Sequence, residues 1–216
     1  FKSFIHQLRV RLFLEKDPYD NFDKILSFHN HTTLNPTFFV MIKKGRRCCH
    51  NIYTTFSKLR KNLRRNYTTG LHPSIGTYNN TKKARKELRR LEKHIVKQRV
   101  DTNMYDKFAF SLPVGYETLL KIGITDDYSM AYHDAIGFRA STCTPFRFYD
   151  IKHESKTRLM VHNLAITDMA LKAMGVHHNA IEAAIVPIVN RIKNVAILCR
   201  LIYNYFRSSL LLLRRA

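Results

Sequence analysis

Two rhythms of apolar and polar positions run along this chain. Residues 17–28, DPYDNFDKILSF, have helical spacing: Asp17 is placed to cap, Pro18 suits the first helical position, and Phe22, Ile25, Leu26 and His29 share one face. Residues 37–42, TFFVMI, form a short unbroken apolar run and predict a buried strand. Phe56, Leu59 and Leu63 mark a helix over 55–65, after a basic loop at 43–53, and 67–71 predicts a short strand ending at His72-Pro73. The clearest helix covers 81–97, opened by Thr81, with Leu88, Leu91 and Ile95 on one stripe and the charges opposite. A further helix covers 114–122 and is closed by Gly123. Residues 124–128 predict a strand that ends in acids, 157–162 another strand, and 178–195 a last helix. Strands alternating with helices predict an α/β domain with a parallel sheet, and no internal repeat is visible.

Composition sharpens this picture in one respect. The chain has 216 residues, 45% of them apolar, enough for a real core and for one domain or slightly more. Its formal charge of +21 is concentrated: residues 43–100 hold 18 Lys/Arg against only Glu87 and Glu92. Clustered cations of this kind suit a polyanion such as nucleic acid, anionic glycan or anionic lipid, and a solvated basic surface is the alternative. The four cysteines form neither a disulfide framework nor a C-x-x-C pair: Cys48 and Cys49 adjoin, and Cys143 and Cys199 stand alone. The first 14 residues do not read as a signal peptide, so a cytoplasmic location is expected. The apolar stretch 195–213 is broken by Arg200 and Arg207, so no integral membrane span is expected.

In parallel α/β folds, ligands bind at the carboxyl ends of the strands, which ranks the polar residues. His72-Pro73-Ser74 follows one expected strand, Asp126-Asp127 closes another, and Arg139 with Thr142-Cys143-Thr144-Pro145 follows a third, weaker segment. A strand-end histidine such as His72 can offer a neutral imidazole to a divalent metal; a loop histidine beside a proline is the simpler account. Asp126 and Asp127 can orient a base or bind a cation, or one of them caps a loop. Arg99 or Arg139 can clamp a carboxylate, and Asp150 and Asp168 are isolated acids. Cys143 is a candidate thiol nucleophile or a buried thiol. The pairs His29/His31 and His177/His178 lack ligand spacing. No P-loop, G-x-S-x-G or H-E-x-x-H is present.

Six segments occur in an informative order: DPYDNFDKIL (17–26), TFFVMI (37–42), GLHPSIGT (70–77), KELRRLEKHI (86–95), SLPVGYETLLKIGITDDYSMAYHDAIGFRASTCTPFRFYDI (111–151) and the stretch 159–168. Together they resemble the polysaccharide deacetylase (NodB-homology) family, in its Bacteroidetes-type variant. The resemblance covers about residues 15–195, between a leading segment (1–16) and an apolar, basic tail (196–216). It implies a distorted (β/α) barrel, one divalent metal (zinc foremost) and hydrolysis of the acetyl group from N-acetylated glycan. It also implies roles for residues: His72 as a metal ligand, Arg99 as the arginine that orients the base, Asp127 as a site acid, and Arg139, Ser74, Thr142 and Thr144 at the barrel mouth. The sequence departs from the pattern at Thr68, where a second histidine is expected, and at Asp101, where another is. The T-F-D-x-D-like first strand is expected upstream of Phe1, and no histidine follows Asn194 where the catalytic acid is expected. The expectation is an incomplete barrel with impaired activity, or else a silent domain that binds a polyanion through 43–100.

Overall fold

The computed structural model describes residues 8–9, 14–15, 27, 36–42, 67–176 and 180–194. The expected helices over 17–28 (apart from Ser27) and 55–65, the basic loop 43–53 and the tail 196–216 lie outside the described residues. So do Cys48, Cys49, Cys199, His29, His31, His177 and His178.

The apolar run at 37–42 becomes β1 (Thr37–Met41), and the next expected strand becomes β2 (Thr68–His72). Helix α1 (Thr81–Arg90) follows and continues into one wider π-type turn, Leu91–Val96. Asn80, not Thr81, caps it: the Asn80 side chain accepts from the Lys83 amide at 2.9 Å. Then come a two-residue strand β3 (Thr102–Asn103), a 3-10 turn at Asp106–Phe108 and helix α2 (Val114–Ile122). Gly123, at φ +94°, closes α2 with a left-handed residue that a side chain would strain. Strand β4 (Asp126–Met130), the hairpin β5 (Phe146–Asp150) and β6 (Ser155–Asn163), and helices α3 (Asp168–Ala173) and α4 (Ile181–Asn194) complete the described chain.

The strands form one six-stranded sheet in the order β1-β2-β3-β4-β6-β5. All neighbours are parallel except β5, which returns antiparallel on β6. The α/β class and the parallel sheet are as the alternating pattern predicts. The short β3 and the hairpin strand β5 have no counterpart in that pattern. Two residues give β3 no period to display, and Phe146–Asp150 alternates only between half-buried and exposed.

Register assigns the side chains to faces, because alternate residues point to opposite sides. Phe38, Val40, Leu71, Leu159 and Val161 share the face covered by α1 and α2, where they meet Leu88, Leu91, Ile95, Tyr116 and Leu119. Phe39, Met104 and Tyr128 share the other face. The rings of Phe39 on β1 and Tyr128 on β4 lie 5.6 Å apart on this face. Gly70 on β2 makes room for the Phe39 ring, which reaches over it. A Cβ there would lie 2.5 Å from Phe39 Cε1 and 3.2 Å from the Thr102 carbonyl oxygen. Gly70→Ala is therefore expected to cost about 1–3 kcal/mol in urea denaturation, as overpacking does, and Phe39→Leu in the same chain to recover part of it.

Candidate active site

His72 is the last residue of β2 and is 3% exposed. The Met104 amide donates to the Leu71 carbonyl at 2.9 Å and zips β3 onto β2. That brings the Met104 carbonyl oxygen to 2.7 Å from His72 Nδ1. A carbonyl only accepts, so Nδ1 carries a proton and Nε2 is the ring nitrogen turned away from the Met104 carbonyl. Nε2 faces Asp106 Oδ1 at 3.6 Å. Asp106, in the turn after β3, is a site residue that the sequence reading misses. Its link to His72 spans 34 positions and leaves no local pattern. Ser74 is bound elsewhere: its amide donates to Glu87 Oε2 at 2.8 Å and its hydroxyl to Glu87 Oε1, which ties the loop after β2 to α1.

Asp126 and Asp127 open β4; they do not close a strand. The main-chain amides of Thr125 and Asp126 donate to the Asp101 carbonyl at 2.8 and 3.1 Å, so pairing begins at the acids and runs on to Met130. Adjacent in sequence, the two acids fall on opposite faces. Asp127, fully buried, pairs in register with Asn103 on the helix-covered side. It accepts from Asn103 Nδ2 at 2.8 Å, the Ser129 amide at 2.9 Å and the Ser129 hydroxyl at 2.7 Å. Burial pushes its carboxyl above the usual range, and the hydrogen bonds from Asn103 and Ser129 partly offset that. Burial, and then the Asp127 charge, raise the phenols of Tyr105 and Tyr116 as well. His72 and Asp127, expected in one site, are thus separated by the sheet itself.

Asp126 lies on the opposite face, with Tyr128. Its Oδ1 is 2.8 Å from Nε2 of His162, near the carboxyl end of β6, and its Oδ2 accepts from the Thr125 hydroxyl. The His162 ring stacks on Tyr128 with centroids 4.3 Å apart and planes 6° from parallel. The His162 side chain is 18% exposed, so solvent and ligand can reach it. This His–Asp pair is the second feature missed from sequence. A signal was available: the strand-end rule that singles out His72 applies equally to His162 in the expected strand 157–162.

The remaining predicted residues divide by the end of the sheet they occupy. Arg139 sits at the carboxyl end, its Nη1 donating to the Phe108 and Ala131 carbonyls at 3.3 and 3.4 Å and its guanidinium over the Phe110 ring. Thr142 and Thr144 stand at the same end: the Thr144 amide donates to the Thr142 hydroxyl, and Asn163 Nδ2 reaches the Thr144 carbonyl. Arg99 does not. It is exposed on the connection entering β3 at the amino end, with Nη2 3.9 Å from the place of a Gly123 Cβ. The π-type turn and left-handed Lys97 end α1 at that edge, which carries Arg99 away from His72. Asp150 holds the β5–β6 turn, accepting from the Lys152 and His153 amides; the His153 side chain lowers its carboxyl. Asp168 lies in the first turn of α3, and Cys143 is a half-buried free thiol.

His72 and Asp106 would be two ligands of a metal ion, with the Met104 carbonyl fixing the imidazole as such ligands require. A catalytic zinc takes three protein ligands. Among the described residues no group of three or more His, Cys, Asp or Glu converges, so they do not make up a zinc centre. Compared with known families, curated proteins and solved structures, the chain matches none. Among the described residues no helix is long and apolar enough to cross a membrane.

Proposed function

We propose that this chain is a deacetylase-like hydrolase domain on a barrel-like sheet, acting with impaired efficiency on the acetamide of N-acetylated glycan. One observation carries the reading. One face of a mostly parallel sheet holds the His162–Asp126 pair, and His72 with Asp106 stands at the carboxyl end of the sheet. Asp126 orients His162, so the imidazole can take a proton from water as the oxygen adds to the acetyl carbon. The same proton then goes to the amide nitrogen as the C–N bond breaks, leaving a free amine and acetic acid, which gives up its proton to solvent as acetate. One histidine thus serves as base and acid in turn, which supports a slow reaction.

The test is acetate release from an N-acetylated chitooligosaccharide by the whole chain, with and without added Zn²⁺, beside His72→Ala. Slow release by the unaltered chain is expected. Stimulation by Zn²⁺ that His72→Ala abolishes means that ligands outside the described residues complete a metal centre. No acetate in either arm sinks the reading.

A further inference from the structure

Helix α1 carries the strongest charge cluster among the described residues. Lys82, Lys86 and Arg90 form one i,i+4 row, and Arg85, Arg89 and Lys93 form a second beside it. Cations in each row follow one another at about 6 Å along the axis. The six side chains line one open groove. Like charges at this spacing repel, and the ion pairs among the described residues involve other side chains. The two acids of the helix are withdrawn from the groove. Glu87 is buried on Ser74, and Glu92 accepts from the Val100 amide at 3.0 Å. The outer face is left uniformly cationic.

We infer that this groove is a docking surface for an anionic glycan, a choice of partner that rests on the hydrolase reading above. Charge complementarity sets the class, with planar guanidinium groups suited to sulfate or carboxylate oxygens. The one further lining residue is His94, and no Phe, Tyr or Trp lines the groove, so it lacks the run of large rings on which single-stranded nucleic acid stacks. No apolar side chain lines it either, so it lacks the inserting face of a membrane-surface helix. Continuity decides for glycan. The groove starts where α1 leaves the loop after His72, where Lys83 Nζ donates to the Ile75 carbonyl at 3.1 Å. A glycan chain held at the carboxyl end of the sheet would extend onto it.

The experiment titrates a heparin-derived oligosaccharide of defined length into the whole chain, read by fluorescence anisotropy. A neutral chitooligosaccharide and a duplex DNA of matched charge are titrated in parallel. The sulfated glycan is expected to bind at least about tenfold more weakly at 200 mM than at 50 mM salt. The triple variant Lys86→Glu/Arg89→Glu/Lys93→Glu is expected to weaken it about 100-fold, and the milder glutamine triple variant about tenfold, with unchanged circular dichroism. Lys152→Gln, in the β5–β6 turn, is expected to leave it unchanged. Affinity within twofold of wild type in both triple variants overturns the surface. Duplex DNA that binds as tightly as the glycan and displaces it overturns the choice of partner. Acetate release is measured separately, so glycan binding without turnover would fell the hydrolase reading and leave the basic groove standing.

Discussion

Replacing His162 with glutamine is expected to lower acetate release about 10²–10⁴-fold, the range for loss of a positioned proton-transfer group. Glutamine keeps the size and a polar tip near Asp126 but cannot carry the proton. Asp126→Asn is expected to fall between wild type and His162→Gln, because the imidazole remains and loses only its orienting charge. Stability is the control. His162 is partly exposed and its removal empties no core position, so urea midpoints of both variants should stay close to wild type. Unchanged rates in both variants would remove the pair from the mechanism. A loss in His72→Ala alone would move the chemistry to the carboxyl end of the sheet.

The largest expected effect on stability is at Asp127. Asp127→Ala leaves Asn103 Nδ2 and the Ser129 amide without their acceptor in the interior, at an expected cost of about 3–5 kcal/mol in urea denaturation. Asp127→Asn keeps one acceptor oxygen but turns its amide nitrogen toward a donor, so it should cost less than Asp127→Ala, about 1–3 kcal/mol. The two differ further in pH dependence. Burial raises the Asp127 carboxyl in the folded chain above its unfolded value. The folded state therefore holds this proton more tightly than the unfolded state. The group's contribution is fully present below its ordinary carboxyl pKa of 3.8 and is lost as pH rises through the raised value. Asp127→Asn should remove that slope. Identical stability-pH curves for wild type and Asp127→Asn would mean that the carboxyl is not raised.

Much of the local structure is legible in the chain. The run TFFVMI, the stripe Leu88-Leu91-Ile95 and the stop at Gly123 each depend on neighbours a few residues away, and each element forms within a residue or two of its expected place. Site residues are less legible because their partners are distant. His72 meets Asp106 and the Met104 carbonyl, and Asp126 meets His162 36 positions on. Nothing in the spacing of Asp126-Asp127 tells which acid faces which side. A strand beginning one residue later or earlier would exchange them. Arg99 shows the same limit from the other direction: its nearness in sequence to β3 says nothing about which end of the sheet it occupies.

Taken by itself, the sequence determines the alternation of strands and helices, hence the α/β class, and the concentration of positive charge between residues 43 and 100. Both are carried by composition and short-range period, which do not depend on how the elements meet. The tertiary structure alone decides the strand order, the meeting of Phe39 with Tyr128, the burial of Asp127 and the exposure of His162. It also decides that Glu87 and Glu92 turn inward and leave α1 an unbroken cationic face. The reason is register. Hydrogen bonding between strands and the packing of α1 and α2 on one side select a single alignment, and that alignment assigns each strand's polar side chains to the helix-covered face or the opposite one.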